Sequence, residues 1–273
     1  MTIEFKALSS VLGVEVLGLD PAAAYDAETT RRLRVAFSTH HLLLLRGQAV
    51  SAEDQVRFAE RFGPVSRLGA NMKHGGKTMR ISNVHADGAF PTGELLFHSD
   101  HVYFERPLKA IALYGEAVPG CGGDTLFANA ARAWDNLPRR LKERIAALKA
   151  RNVYDYSLKR GDQRLSKEAL SAGAAHHVHP IAWPHPETGR TILLVNRMMT
   201  DEVIGLDQAE SEALLAELLP YIEDPGNVYR HRWRLHDLVV WDNRILQHAR
   251  TDFDPSEARV LRRVPVAEES ATA

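Results

Sequence analysis

Apolar and polar positions change period several times along this chain, and each change marks a different kind of element. Val14 and Val16 alternate with Glu15 over Val14–Leu17, the period of two expected of a half-buried strand. Ala27–Ser38 reads as a helix, and His41–Leu45, a histidine followed only by leucines, as a short buried strand. Ser51 followed by Asp54 makes a capping-box pattern, after which Val56, Ala59 and Phe62 recur at helical spacing until Gly63 closes the helix.

Further along, segments rich in branched residues predict strands at Ala110–Tyr114, Thr191–Val195, Val228–Trp233, Leu238–Trp241 and Arg259–Val266. Two helices interrupt them. Pro138–Lys149 places Leu141, Ile145 and Leu148 on one face, and Asp207–Leu219 opens with an Asp207/Glu210 capping pattern before Leu214, Leu215 and Leu218. Many short strands with a few helices outside them predict a mainly β fold with peripheral helices, a barrel or a sandwich. No repeat, low-complexity tract or linker divides the chain, so residues 1–273 are expected to form a single domain.

With 45% apolar and 25% charged residues the chain can build an ordinary globular core. Its net charge of −1 and the lack of any long block of like charge argue against nucleic acid or an anionic membrane as a partner. The N-terminal residues lack a basic region followed by an apolar stretch, and no apolar run is long enough to span a bilayer. The single cysteine, Cys121, excludes an intrachain disulfide and suits a reducing compartment, so the cytoplasm is the expected location. Cys121 itself reads as a small residue in a glycine loop.

The chemistry gathers around His98-Ser99-Asp100. On a strand, residues two apart share a face, so His98 and Asp100 can reach one metal. With 13 histidines, about one such spacing is expected by chance, and His85-Ala86-Asp87 repeats it; Asp87-Gly88, however, is a turn signal. His248 supplies a third candidate ligand. Two imidazoles and a carboxylate on one face of a metal leave positions open for oxygen and an organic ligand, the facial triad of non-haem Fe(II) oxygenases. Asp124 and Asp242 are competing carboxylates that read better as organisers of turns.

Arg259 and Arg263, on a strand, share a face with Leu261, whereas Val260, Arg262 and Val264 take the other. If the first face points inward, each guanidinium must meet an anion, because an unpaired buried charge is costly. A solvated basic edge strand is the plainer alternative. Trp183, Trp233 and Trp241 read as core or barrel lining.

Phe97-His98-Ser99-Asp100, Arg106-Pro107, Gly122-Gly123-Asp124-Thr125-Leu126 and Trp241-Asp242-Asn243-Arg244 before Gln247-His248 together resemble the taurine dioxygenase and 2,4-dichlorophenoxyacetate dioxygenase family. Leu45-Arg46-Gly47-Gln48, His179-Pro180 and His185-Pro186-Glu187-Thr188-Gly189-Arg190 extend the resemblance over nearly the whole chain. It implies a double-stranded β-helix, the cupin-like jelly roll. It also implies Fe(II) held by His98, Asp100 and His248, 2-oxoglutarate as co-substrate, and O2. The distal carboxylate of 2-oxoglutarate would meet Arg259 and Thr125. Oxidative decarboxylation to succinate and CO2 would then be coupled to hydroxylation of a substrate carbon.

The resemblance assigns Arg263 to an acidic group of the primary substrate, which makes a small anionic organic molecule the expected partner. Asn71, Glu94 and Tyr103 fall at places that resemble substrate-pocket positions. Family members that use taurine carry other residues where this chain has Leu68, Asn71 and Glu94, so taurine is not the expected substrate. A homo-oligomer, dimer or tetramer, stays open. So do two other classes: a His/His/Asp metal-dependent hydrolase, and a catalytically silent jelly roll that binds a small acid.

Overall fold

The computed structural model describes residues 3–66, 77–89, 92–155 and 173–268. It begins with β1 (Glu4–Ala7), β2 (Val14–Leu17), α1 (Ala27–His40), β3 (Leu42–Leu45) and α2 (Ala52–Ala59). Then come β4 (Met79–Ser82), β5 (Leu95–His98), β6 (Ala110–Ala117), β7 (Thr125–Asn129), α3 (Ala130–Asn136) and α4 (Arg139–Ile145). β8 (Lys149–Tyr154), β9 (Ala175–Pro180), β10 (Ala182–Pro184), β11 (Thr191–Leu193), β12 (Thr200–Val203) and α5 (Gln208–Glu223) follow. The chain closes with β13 (Val228–His231), β14 (Leu238–Asp242), β15 (Leu246–Arg250) and β16 (Val260–Val266).

Two sheets form the frame. A seven-stranded sheet has the order β1-β2-β3-β14-β6-β16-β4, and a four-stranded sheet the order β13-β7-β15-β5. Strand periodicity decides what lies between them. From the large sheet Leu42, Leu44, Ile111, Leu113, Val239, Trp241 and Leu261 meet Phe127 and Leu246 of the small one in a single core. The alternate residues Leu43, Leu45, Ala112, Val240, Val264 and Val266 face outward instead and pack under Leu33, Phe37, Phe58 and Phe62 of the α1–α2 region. Ala128, on the outer face of β7, belongs to a third cluster with Leu141, Ile145, Leu214, Leu218 and Ile222 of α4 and α5. The result is a β-rich fold with helices on its outer faces. Among the described residues, no helix is long and apolar enough to cross a membrane.

Several element ends differ from expectation for local reasons. His41 is the cap of α1 rather than the start of β3: it takes a left-handed φ of 64° and donates its N–H to the Phe37 carbonyl. The capping box of Ser51 and Asp54 is formed, but α2 ends at Ala59, and Gly63 does not close it. Gly63 serves a close approach, since a Cβ there would lie 2.7 Å from the Ala267 carbonyl oxygen. The helix expected to reach Lys149 stops at Ile145, because Lys149 is already paired with Pro180 in the β8–β9 ladder. α5 keeps its Asp207/Glu210 capping box and runs on through Pro220 to Glu223, with Leu218, Leu219 and Ile222 buried.

Candidate active site

β5 and β15 are antiparallel neighbours, and His98 and His248 are direct partners in their register. Directly opposed residues project to the same side, so the rings sit side by side with centroids 4.2 Å apart, tilted by 43°. The His98 Nδ1 lies 2.7 Å from the Leu96 carbonyl oxygen. A carbonyl only accepts, so Nδ1 carries the proton and Nε2 is left as the ligand atom, the usual way in which a backbone group fixes the tautomer of a metal-binding histidine.

Asp100 reaches this pair differently from expectation. β5 ends at His98, and Asp100 stands in the turn beyond it, so strand alternation does not bring the two together. Asn243 does. Its Oδ1 accepts from the Asp100 N–H at 2.9 Å, and its Nδ2 donates to the carbonyls of Asp100 at 3.0 Å and Leu108 at 2.9 Å. The Asp100 Oδ1 is thereby held 3.6 Å from the His98 Nε2. Potential ligand atoms of His98, Asp100 and His248 all lie within 4.8 Å of one another, a spacing that fits one divalent metal ion. The other pair, His85 and Asp87, is exposed in a turn where His85 meets the Ser82 hydroxyl, and it gains no third ligand among the described residues.

Burial alone would raise the Asp100 carboxyl pKa. Arg263, aided by the imidazoles of His248 and His98, overrides this and holds it well below the usual carboxylate range. Arg263 is the inward-facing residue that alternation on β16 predicts. Its Nη2 donates to the Asp100 Oδ2 at 2.7 Å, so the anion it meets here is the metal-ligand candidate itself. Arg262 points the other way, to Glu116 and Gln55.

Arg259, the residue just ahead of β16, is buried and donates Nε to the Gly123 carbonyl at 3.0 Å. Gly123 has a φ of 64°, and a Cβ on it would lie 2.9 Å from that Nε, so only glycine permits the approach. Burial, with the like charge of Arg250 adding to it and Asp124 opposing it, pushes the Arg259 pKa down to about 9. At neutral pH it is still a cation, and among the described residues it forms no ion pair. Thr125, at the start of β7, lines the same cavity, and its Oγ1 accepts from the Trp233 Nε1 at 3.0 Å.

The cavity between the sheets is lined by His98, Asp100, His248, Thr125, Arg259 and Arg263 together with Tyr103. Tyr103 is buried and stacks on Tyr154 at 5.0 Å. Glu94 is not brought in: it is exposed just ahead of β5, and its neighbour Leu95 lines the cavity instead. Asn71 and Leu68 lie outside the described residues. Arg250 was not anticipated. It is buried and lines the cavity, stands opposite Thr125 in the ladder, and donates to the Thr92 carbonyl at 2.8 Å. Its signal was present in the sequence, two residues after His248 on a strand. Trp241 packs edge-on to His248 at 5.0 Å. Asp242 does organise its turn, accepting from Arg244 and His185, whereas Asp124 is engaged by Arg230.

Residues 4–264 match the family model described as taurine catabolism dioxygenase TauD, TfdA family. The chain belongs to the TauD/TfdA family of alpha-ketoglutarate-dependent dioxygenases. It is 33% identical over 269 residues to the (S)-phenoxypropionate/alpha-ketoglutarate-dioxygenase of Sphingobium herbicidovorans, covering 92% of this chain and 88% of that one. It is 30% identical over 295 residues to the alpha-ketoglutarate-dependent 2,4-dichlorophenoxyacetate dioxygenase of Cupriavidus pinatubonensis, with 99% of each covered. The crystal structure of AAD-2 in complex with Mn(II) and N-oxalylglycine superposes with a TM-score of 0.82 at 26% identity, covering 100% of this chain and 99% of that one. As a TauD/TfdA dioxygenase the chain uses alpha-ketoglutarate (2-oxoglutarate) and a metal site of His98, Asp100 and His248.

Proposed function

We propose that this protein is an Fe(II)-dependent hydroxylase of a small organic acid or ester that carries an apolar body and one anionic group. The observation that carries this reading is Arg259, a buried cation without an ion-pair partner among the described residues, in the same cavity as the His98/Asp100/His248 cluster. Such a charge needs an anionic ligand, and a guanidinium fork matches a carboxylate. A hydrolase using the same three ligands would have no use for it.

In this reading His98, Asp100 and His248 hold Fe(II), and Arg259 and Thr125 hold the distal carboxylate of 2-oxoglutarate. When bound, iron and co-substrate together supply the oxidising chemistry: one oxygen atom of O2 enters the substrate as hydroxyl, and the other ends in succinate as CO2 is released. The protein's part is orientation and exclusion of water. Met79, Ile81, Leu95, Leu113, Leu261 and Tyr103 give the remaining cavity wall an apolar surface suited to an aryl or alkyl body. Arg263, while paired with Asp100, is the cation nearest the metal ligands that can take the substrate's anionic group. The phenoxypropionate and dichlorophenoxyacetate relatives support aryloxyalkanoates as the first class to test.

A double-stranded β-helix formed by the two facing sheets, one domain over residues 1–273 and a cytoplasmic location complete the reading. The test is anaerobic addition of Fe(II) and 2-oxoglutarate, followed by air and a panel of aryloxyalkanoates, alkyl sulfates, sulfonates and amino acids. A visible charge-transfer band, then succinate formed in step with one anionic substrate, is expected. Absence of the band with bound iron would sink the assignment.

A further inference from the structure

We propose that Trp233 is a positioning residue that makes the Thr125 hydroxyl an obligatory hydrogen-bond donor toward the distal carboxylate of 2-oxoglutarate. The inference rests on the placement of that carboxylate at Arg259 and Thr125 given above. A threonine hydroxyl offers one proton and two lone pairs, and left alone it rotates to suit its surroundings. An indole N–H can only donate. The Trp233 Nε1, 3.0 Å from the Thr125 Oγ1, therefore occupies a lone pair and turns the hydroxyl proton away from itself. Thr125 is buried and lines the cavity, and no protein acceptor for that proton is found among the described residues. An anion beside Arg259 is the acceptor that completes it.

Trp233 is held for this task by groups that touch nothing in the cavity. It lies two residues beyond β13, where the ladder no longer fixes it. The His231 and Trp233 rings stand perpendicular, with centroids 4.6 Å apart at 88°, and the His231 Nε2 lies 3.3 Å from the Asp237 Oδ2. Asp237 is fully buried, accepts from Arg46 at 2.6 Å and from the Arg234 N–H at 2.9 Å, and so ties down the residue that follows Trp233. On the other side the ring packs close to Gly115, where a Cβ would stand 3.5 Å from the Trp233 Cε3, at ordinary contact distance.

The experiment is calorimetric titration of the Mn(II)-loaded protein, which binds without turnover, with 2-oxoglutarate and with 2-oxobutanoate, a 2-oxo acid that lacks the distal carboxylate. Wild type, Trp233→Phe, Thr125→Val and the double variant are compared, with thermal unfolding as the check on folding. Trp233→Phe should weaken 2-oxoglutarate about fivefold, the size of one neutral hydrogen bond of about 1 kcal/mol. The double variant should bind no more weakly than Thr125→Val alone, and 2-oxobutanoate should be unaffected throughout. If Trp233→Phe folds poorly, an isosteric benzothiophene side chain in place of the indole removes only the N–H. Unchanged 2-oxoglutarate binding on loss of the N–H, additive losses in the double variant, or an equal loss for 2-oxobutanoate would each overturn the role of Trp233. A wild type that binds the two oxo acids equally well would instead overturn the placement of the carboxylate on which it rests.

Discussion

Arg263 places its Nη2 2.7 Å from the Oδ2 of Asp100, so the strand that Arg259 leads into also neutralises a ligand candidate of the metal site. Both side chains are mostly buried, at 9% and 17% exposure, and removing one partner of such a pair typically costs about 3–5 kcal/mol. Because the folded-state pKa of Asp100 is depressed, its stabilising contribution is present above the ordinary value of 3.8 and is lost as pH falls through the lower folded value. Arg263→Gln should therefore destabilise the metal-free protein most near neutral pH, by about 3 kcal/mol, with the gap to wild type narrowing at pH 3–4. Urea unfolding at the two pH values checks this. An equal gap at both would mean that the pair contributes nothing pH-dependent.

Asp100→Ala should abolish tight divalent-metal binding and, by leaving Arg263 buried without its partner, lower stability by about 3–5 kcal/mol, whereas Asp87→Ala should leave binding at wild-type strength. Calorimetry with Mn(II) distinguishes the two His-x-Asp sites directly.

Asn243→Ala should weaken metal binding although Asn243 is no ligand. The change removes the bonds to the Asp100 N–H and to the carbonyls of Asp100 and Leu108. Stability should fall by about 1–3 kcal/mol for the buried groups left unsatisfied. If metal affinity were unchanged, the turn would be holding Asp100 in place without its clamp.

Arg259→Ala should raise the 2-oxoglutarate requirement by at least tenfold, since a hydrogen bond to a charged group contributes about 1.5–3 kcal/mol, with metal affinity nearly unaffected. Saturation curves for 2-oxoglutarate at fixed iron provide the measurement, and an unchanged curve would move the role to another cation, Arg250 first.

Some of the site could be read directly from the chain. Leu261 and Arg263 are two apart, and a strand must put them on one face; Leu261 in the inter-sheet core and Arg263 beside Asp100 follow from that alternation. The capping boxes at Ser51 and Asp207 were equally legible, because a cap is satisfied within a few residues of itself. Asp100 was not. Its position depends on Asn243, far away in the chain, and the same His-x-Asp spacing at His85 leads only to an exposed turn.

The sequence by itself determined which residue types were available for a metal and a carboxylate, and which of them shared a strand face, since both follow from side-chain chemistry and local backbone period. Only the tertiary structure decided that His248 lies opposite His98, that Asp100 is ligand candidate and ion-pair partner at once, that Glu94 stays outside the cavity and that Arg250 enters it. Those outcomes depend on the register between strands distant in the chain and on where a strand stops. Both are set by hydrogen bonds and packing that no local spacing encodes.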